Sequence, residues 1–107
     1  MMIITTTNDL PGYEIVEVID IARGSTVRAR HIGRDITAVF KSVVGGEIKE
    51  YTRLMADARE QAISRMIADA EEIEADAVIN VRFTTSMVLQ GSSEILAYGT
   101  AVKVRKI

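Results

Sequence analysis

Residues 47–75 read EIKEYTRLMADAREQAISRMIADAEEIEA, a stretch with neither proline nor glycine. Strong helix formers dominate it. Ile48, Tyr51, Met55, Ala58, Ala62, Met66, Ala70 and Ile73 recur every three or four positions, with Leu54 and Ile67 widening the stripe. That period predicts one helix of about 28 residues, roughly 42 Å long at 1.5 Å per residue. Four of the eight stripe positions are alanine or tyrosine, so a neighbouring element can approach this helix closely on one side.

Upstream, Gly45-Gly46 stops a shorter helix, because glycine takes the left-handed conformation that follows a helix. Asp35 is its N-cap, and Ile36, Val39, Phe40 and Val43 form its apolar stripe. Tyr13 to Ala22 reads as a strand, with Tyr13, Ile15, Ile19 and Ile21 on one face and Glu14, Val16, Val18 and Asp20 on the other. Arg23-Gly24-Ser25 reads as a bend before a second short strand, Thr26 to His31. Ile3-Ile4 is a short apolar start, and Asn8-Asp9-Leu10-Pro11-Gly12 is a turn by composition.

Downstream, Ala77 to Leu89 is a strand with Ala77, Ile79, Val81 and Phe83 on one face. Gln90-Gly91-Ser92-Ser93 is a hairpin loop, and Glu94 to Val104 is the return strand. Strands, two helices and a hairpin in that order predict an α+β fold. It is a two-layer sandwich of a mostly antiparallel sheet with one short and one long helix, in a single domain over 1–107.

Composition removes whole classes of chemistry. The chain has no cysteine, which excludes disulfides, thiolate nucleophiles, zinc ribbons and iron–sulfur ligation, and fits a reducing compartment. A net charge of −2 argues against a sequence-independent grip on nucleic acid. No apolar run approaches the roughly 18 residues of a membrane span, and the start lacks the pattern of a secretory signal. The expected location is cytoplasmic.

The first and last strands carry apolar residues on both faces, whereas a sheet covered on one side alternates apolar and polar. A small domain leaves such surface exposed, and the long helix projects beyond its sheet. Symmetric self-assembly is the commonest way to cover both.

Val43-Val44-Gly45-Gly46-Glu47, Tyr51-Thr52, Ala58-Arg59, Ala62, Ala75-Asp76-Ala77-Val78-Ile79 and Glu94-Ile95-Leu96-Ala97-Tyr98-Gly99-Thr100-Ala101-Val102 follow one another along nearly the whole chain. In that order they closely resemble the YbjQ-like family of small bacterial and archaeal proteins, a family labelled "putative heavy-metal-binding". The resemblance implies a subunit like that of dodecin, assembled as a homopentameric ring. It implies little about activity.

Candidate sites arise from residue chemistry. A soft or borderline metal wants three or four thiolate or imidazole ligands, and this chain offers only His31. His31 could contribute to a metal site only where ring symmetry gathers copies of it. Asp69, Glu71, Glu72, Glu74 and Asp76 crowd the C-terminal end of the long helix, where carboxylates oppose the helix dipole. Solvent, basic residues such as Lys103, Arg105 and Lys106 of a neighbouring subunit, or a hard divalent metal with oxygen ligands would balance them. Glu72 and Asp76 are the weak metal candidates there.

Gly45-Gly46 opens onto a helix N-terminus but lacks the spacing of a nucleotide loop, and reads as a helix–helix corner. Glu47 and Glu50 share a helix face and could pair for acid–base work. The leading functional reading is a homo-oligomer of unknown biochemical role that binds a small ligand or ion at subunit junctions. The competing one is a metal-dependent or acid–base enzyme using Glu47, Glu50 and His31 at a subunit interface.

Overall fold

A computed structural model of the chain describes residues 2–28, 48–89 and 92–107. Its elements are β1 (Ile3–Ile4), β2 (Tyr13–Arg28), α1 (Ile48–Glu72), β3 (Ala77–Leu89) and β4 (Ser92–Lys106). The strands form one mixed sheet in the order β1-β3-β4-β2, with β1 parallel to β3 and the other pairings antiparallel. The α+β expectation holds, and the long helix and the β3–β4 hairpin fall where the sequence places them. The short helix expected from Asp35 to Val43 and the end of the strand expected to reach His31 lie outside the described residues.

The bend expected at Arg23-Gly24-Ser25 is absent. β2 runs straight through it, pairing Arg23 with Tyr98, Gly24 with Ala97 and Ser25 with Leu96. Glycine is there for closeness, not for turning. A Cβ on Gly24 would stand 2.2 Å from the backbone nitrogen of Met66, 2.5 Å from the carbonyl oxygen of Ala62 and 2.6 Å from the carbonyl carbon of Arg65. The helix backbone rests directly on the strand.

Small residues make that approach general. The core between α1 and the sheet consists of Ala22, Ala58, Ala62, Met66, Ala70, Val78, Val81, Ile95, Ala97 and Ala101. Six of those ten are alanine, so the layer is thin. Side chains of α1 also satisfy the free edge of β2: the Arg23 N–H donates to Asp69 Oδ2 at 3.0 Å, and Arg65 donates from an Nη to the Ser25 carbonyl at 2.6 Å. These main-chain groups look away from β4 and would otherwise need water.

A second, smaller core lies on the opposite face. Leu10, Ala77, Ile79 and Val102 are buried there, with Ile3, Tyr13, Ile15 and Val104 packed around them. The segment before β2 supplies the cover. Gly12 takes a φ of 87°, the Tyr13 N–H donates to the Leu10 carbonyl, and the Ile107 N–H donates to the Gly12 carbonyl. The second apolar face expected of the outer strands is thus partly closed by the chain itself.

Register irregularities overturn the simple alternation. The β2–β4 register shifts between Ile15 and Glu17 and again between Val18 and Asp20, and β3–β4 shifts between Ile79 and Arg82, with a further shift at the end of β3 between Met87 and Leu89. Each added residue moves its successors to the other face. Tyr13 and Ile15 therefore join Leu10, Ile19 packs against the helix-side core, and Ile21 is exposed. Likewise Ala77 and Ile79 face the small core while Val81 enters the large one, the switch lying at Asn80 with a φ of 54°.

α1 ends on two interlocking bonds, Ala75 N–H to the Ala70 carbonyl and Glu74 N–H to the Glu71 carbonyl, with Glu74 at a φ of 62°. This is a Schellman stop carrying a non-glycine residue at its left-handed position.

Chemical denaturation monitored by circular dichroism checks both features. Gly24→Ala is expected to lose about 3 kcal/mol or more, because the contacts it would violate are main-chain atoms that cannot swing aside. Glu74→Gly is expected to gain about 0.5–1 kcal/mol by relieving the left-handed residue.

Candidate functional site

The carboxylates at the end of α1 are not one cluster awaiting a cation. Asp69 accepts from the Arg23 N–H. Asp76 accepts from the Val104 N–H at 2.9 Å through Oδ2, and its own N–H donates to the Val102 carbonyl at 2.9 Å. Both carboxylates fasten the helix and its exit to the sheet. Glu71, Glu72 and Glu74 are exposed. A shallow cavity of about 250 Å³, lined by Met2, Glu71, Ala75 and Asp76, opens beside them.

Among the described residues, no group of three or more His, Cys, Asp and Glu side chains comes together as a metal site. His31 and Glu47 lie outside the described residues, and Glu50 sits in the first turn of α1 with its side chain outside them. Arg105, a candidate cation for a neighbouring subunit, is engaged at home. It pairs across the strands with Glu14, with a 2.7 Å bond from Nε to Oε1 and a second contact through Nη.

The larger cavity is elsewhere. It is an open surface hollow of about 470 Å³ lined by Thr6, Thr7, Asn8, Asp9, Pro11 and Arg82, all of them exposed. The loop after β1 forms one wall and clings to β3. The Thr5 N–H donates to the Val78 carbonyl, the Val81 N–H to the Thr5 carbonyl and the Asn80 N–H to the Thr7 carbonyl. The irregularity at Asn80 turns these donors towards the loop. Arg82 closes the other wall, and one Nη is held by the Thr6 carbonyl at 3.0 Å and the Val81 carbonyl at 2.9 Å.

In the sequence, Arg82 is no more than a polar position on a strand, and Thr5–Thr7 are ordinary hydroxyls. Neither carries a local pattern that announces a shared cavity, since the contact spans 76 residues.

Among the described residues, fold and geometry define a small α+β domain with one helix seated on a four-stranded mixed sheet. The family model described as "Putative heavy-metal-binding" (YbjQ) matches residues 2–105. The chain belongs to that family. A UPF0145 protein of Thermosipho africanus is 58% identical over 98% of this chain and 97% of its own length. A UPF0145 protein of Methanosarcina acetivorans is 57% identical over 96% and 97%. A crystal structure from Pediococcus pentosaceus, of a protein of unknown function in the DUF74 family, superposes with a TM-score of 0.55 at 21% identity. It covers 97% of this chain and 98% of that one, and this likeness supports the fold alone.

The family's description implies a heavy metal, and the residues present do not fit one within a subunit. Thiophilic ions want sulfur or several imidazoles, and the chain has no cysteine and a single histidine. Of the carboxylates singled out, Asp76 is already bonded to a main-chain N–H. Asp76→Ala is accordingly expected to lower unfolding stability by about 1 kcal/mol. Metal content of the purified protein, read by plasma mass spectrometry, is expected not to change with it.

Proposed function

We propose that this protein acts as a cytoplasmic homo-oligomeric ring, with the homopentamer implied by its family resemblance as the working unit. Its subunit junctions take up a small ligand or ion. One observation carries the reading. Val18, Ile21 and Val27 are 65%, 58% and 56% exposed. They stand opposite Val102, Thr100 and Glu94 of β4, on the face of β2 away from the helix. Three large apolar side chains exposed on one strand face, with Arg23 and Ser25 between the last two, are costly to leave in water and mark a surface that meets a partner.

Two further features support a second copy as that partner. Phe83 and Met87 are exposed on the helix side of β3, because α1 lies along β2 and β4 and scarcely reaches β3. β1 pairs with β3 only at Ala77 and Val78. Residues 83–87, Phe-Thr-Thr-Ser-Met, are exposed and carry no charge, the kind of edge that accepts another strand. The subunit is also drawn out, measuring 56 × 24 × 19 Å, a shape with much surface for its volume.

Native mass spectrometry at micromolar concentration is expected to give one sharp multimer, five subunits by the family resemblance. Replacing Val18 and Ile21 together by aspartate is expected to release subunits that keep their far-ultraviolet circular dichroism. A wild-type monomer that stays folded and monodisperse at that concentration contradicts the proposal.

A further inference from the structure

In the loop between β1 and β2 the main-chain carbonyls are taken up, and the Thr5 and Thr7 N–H groups and hydroxyls are bonded within the loop or to β3. The carbonyls of Thr5, Thr6, Thr7, Asp9 and Leu10 accept from Val81 N–H, Arg82, Asn80 N–H, the Thr7 hydroxyl and Tyr13 N–H respectively. The Thr5 and Thr7 hydroxyls bond each other at 2.8 Å. By contrast, the Thr6 hydroxyl, the Asn8 carboxamide, and Nε and the second Nη of Arg82 have no hydrogen-bond partner among the described residues, although all three residues line the 470 Å³ cavity.

A guanidinium pinned by two main-chain carbonyls has lost little freedom still to lose, and its remaining donors keep a fixed fork. Unused donors around a cationic fork complement an oxyanion. Asp9 lines the same cavity with a negative charge that no cation among the described residues neutralises. It disfavours a doubly charged group and favours a ligand that brings a donor of its own.

We infer that this cavity binds the carboxylate of a small molecule that also carries an amine or hydroxyl, with Arg82, Thr6 and Asn8 on the carboxylate and Asp9 on the donor. All four residues come from one subunit. The site therefore stands or falls separately from the ring.

The test is a titration of the ¹⁵N-labelled full chain with glycine, acetate and inorganic phosphate at one ionic strength, followed by amide chemical shifts. Glycine is expected to move the Thr6–Asp9 and Arg82 signals saturably and to bind more tightly than acetate or phosphate. Thr6→Ala and Arg82→Lys are each expected to weaken it about tenfold, the usual scale for one hydrogen bond to a charged group. The Thr6 hydroxyl has no partner among the described residues to lose, so its variant keeps the fold. Asp9→Asn is expected to bring glycine down to the level of acetate. The inference is overturned if glycine gives no saturable shift, if sodium chloride reproduces the shifts, if phosphate binds more tightly than glycine, or if neither Thr6→Ala nor Arg82→Lys weakens binding.

Discussion

The contact of the α1 backbone with β2 at Gly24 governs the rest of the molecule. With no side chain at that point, Met66, Ala62 and Arg65 settle main chain against main chain, and an alanine-rich layer is enough to fill the space around them. Dispersion gains from such close packing are individually small and sum over many atoms. The same closeness brings Asp69 and Arg65 within reach of the Arg23 N–H and the Ser25 carbonyl. One edge of the sheet is thereby sealed by the helix that also covers its face.

That placement has a cost elsewhere. A helix drawn over β2 and β4 leaves the helix side of β3 bare at Phe83 and Met87. On the far side, Leu10 and the chain around it shield only the end of the sheet nearest Ala77 and Val102. Beyond that cover, β2 continues with Ile21 and Val27 in the open. Small chains already bury a modest share of their surface, and a thin core makes the shortfall larger. The assembly we propose would cover these strips. The family's heavy-metal description has no matching site among the described donor groups of one subunit.

Much of this was legible in the residues and some was not. The helix over 48–72 and the strands over 77–89 and 92–106 track the hydrophobic period closely, because long periodic runs average over local exceptions. The faces depart from simple alternation wherever one residue is added. Nothing in Val16 or Ile19 distinguishes a bulge from its neighbours, and Asn80 offers only asparagine's tolerance of a positive φ, yet each reverses the alternation after it. Gly24 reads as a bend in the sequence because a glycine between polar residues has the same appearance whether it serves a turn or a close approach. The acidic end of α1 was legible as charge and illegible as purpose, since the main-chain partners of Asp69 and Asp76 are supplied by tertiary structure. Arg82 and the loop from Thr6 to Pro11 are joined only by the fold.

Native-state hydrogen exchange at the Arg23 amide tests the central contact most directly. This N–H points away from β4 on an edge strand, and the seating of α1 through Asp69 shields it. The structure predicts that it exchanges as slowly as the amides bonded between β2 and β4, opening only with global unfolding. Exchange at the rate of a solvent-exposed edge amide would show that α1 is not seated on β2 and would contradict the account.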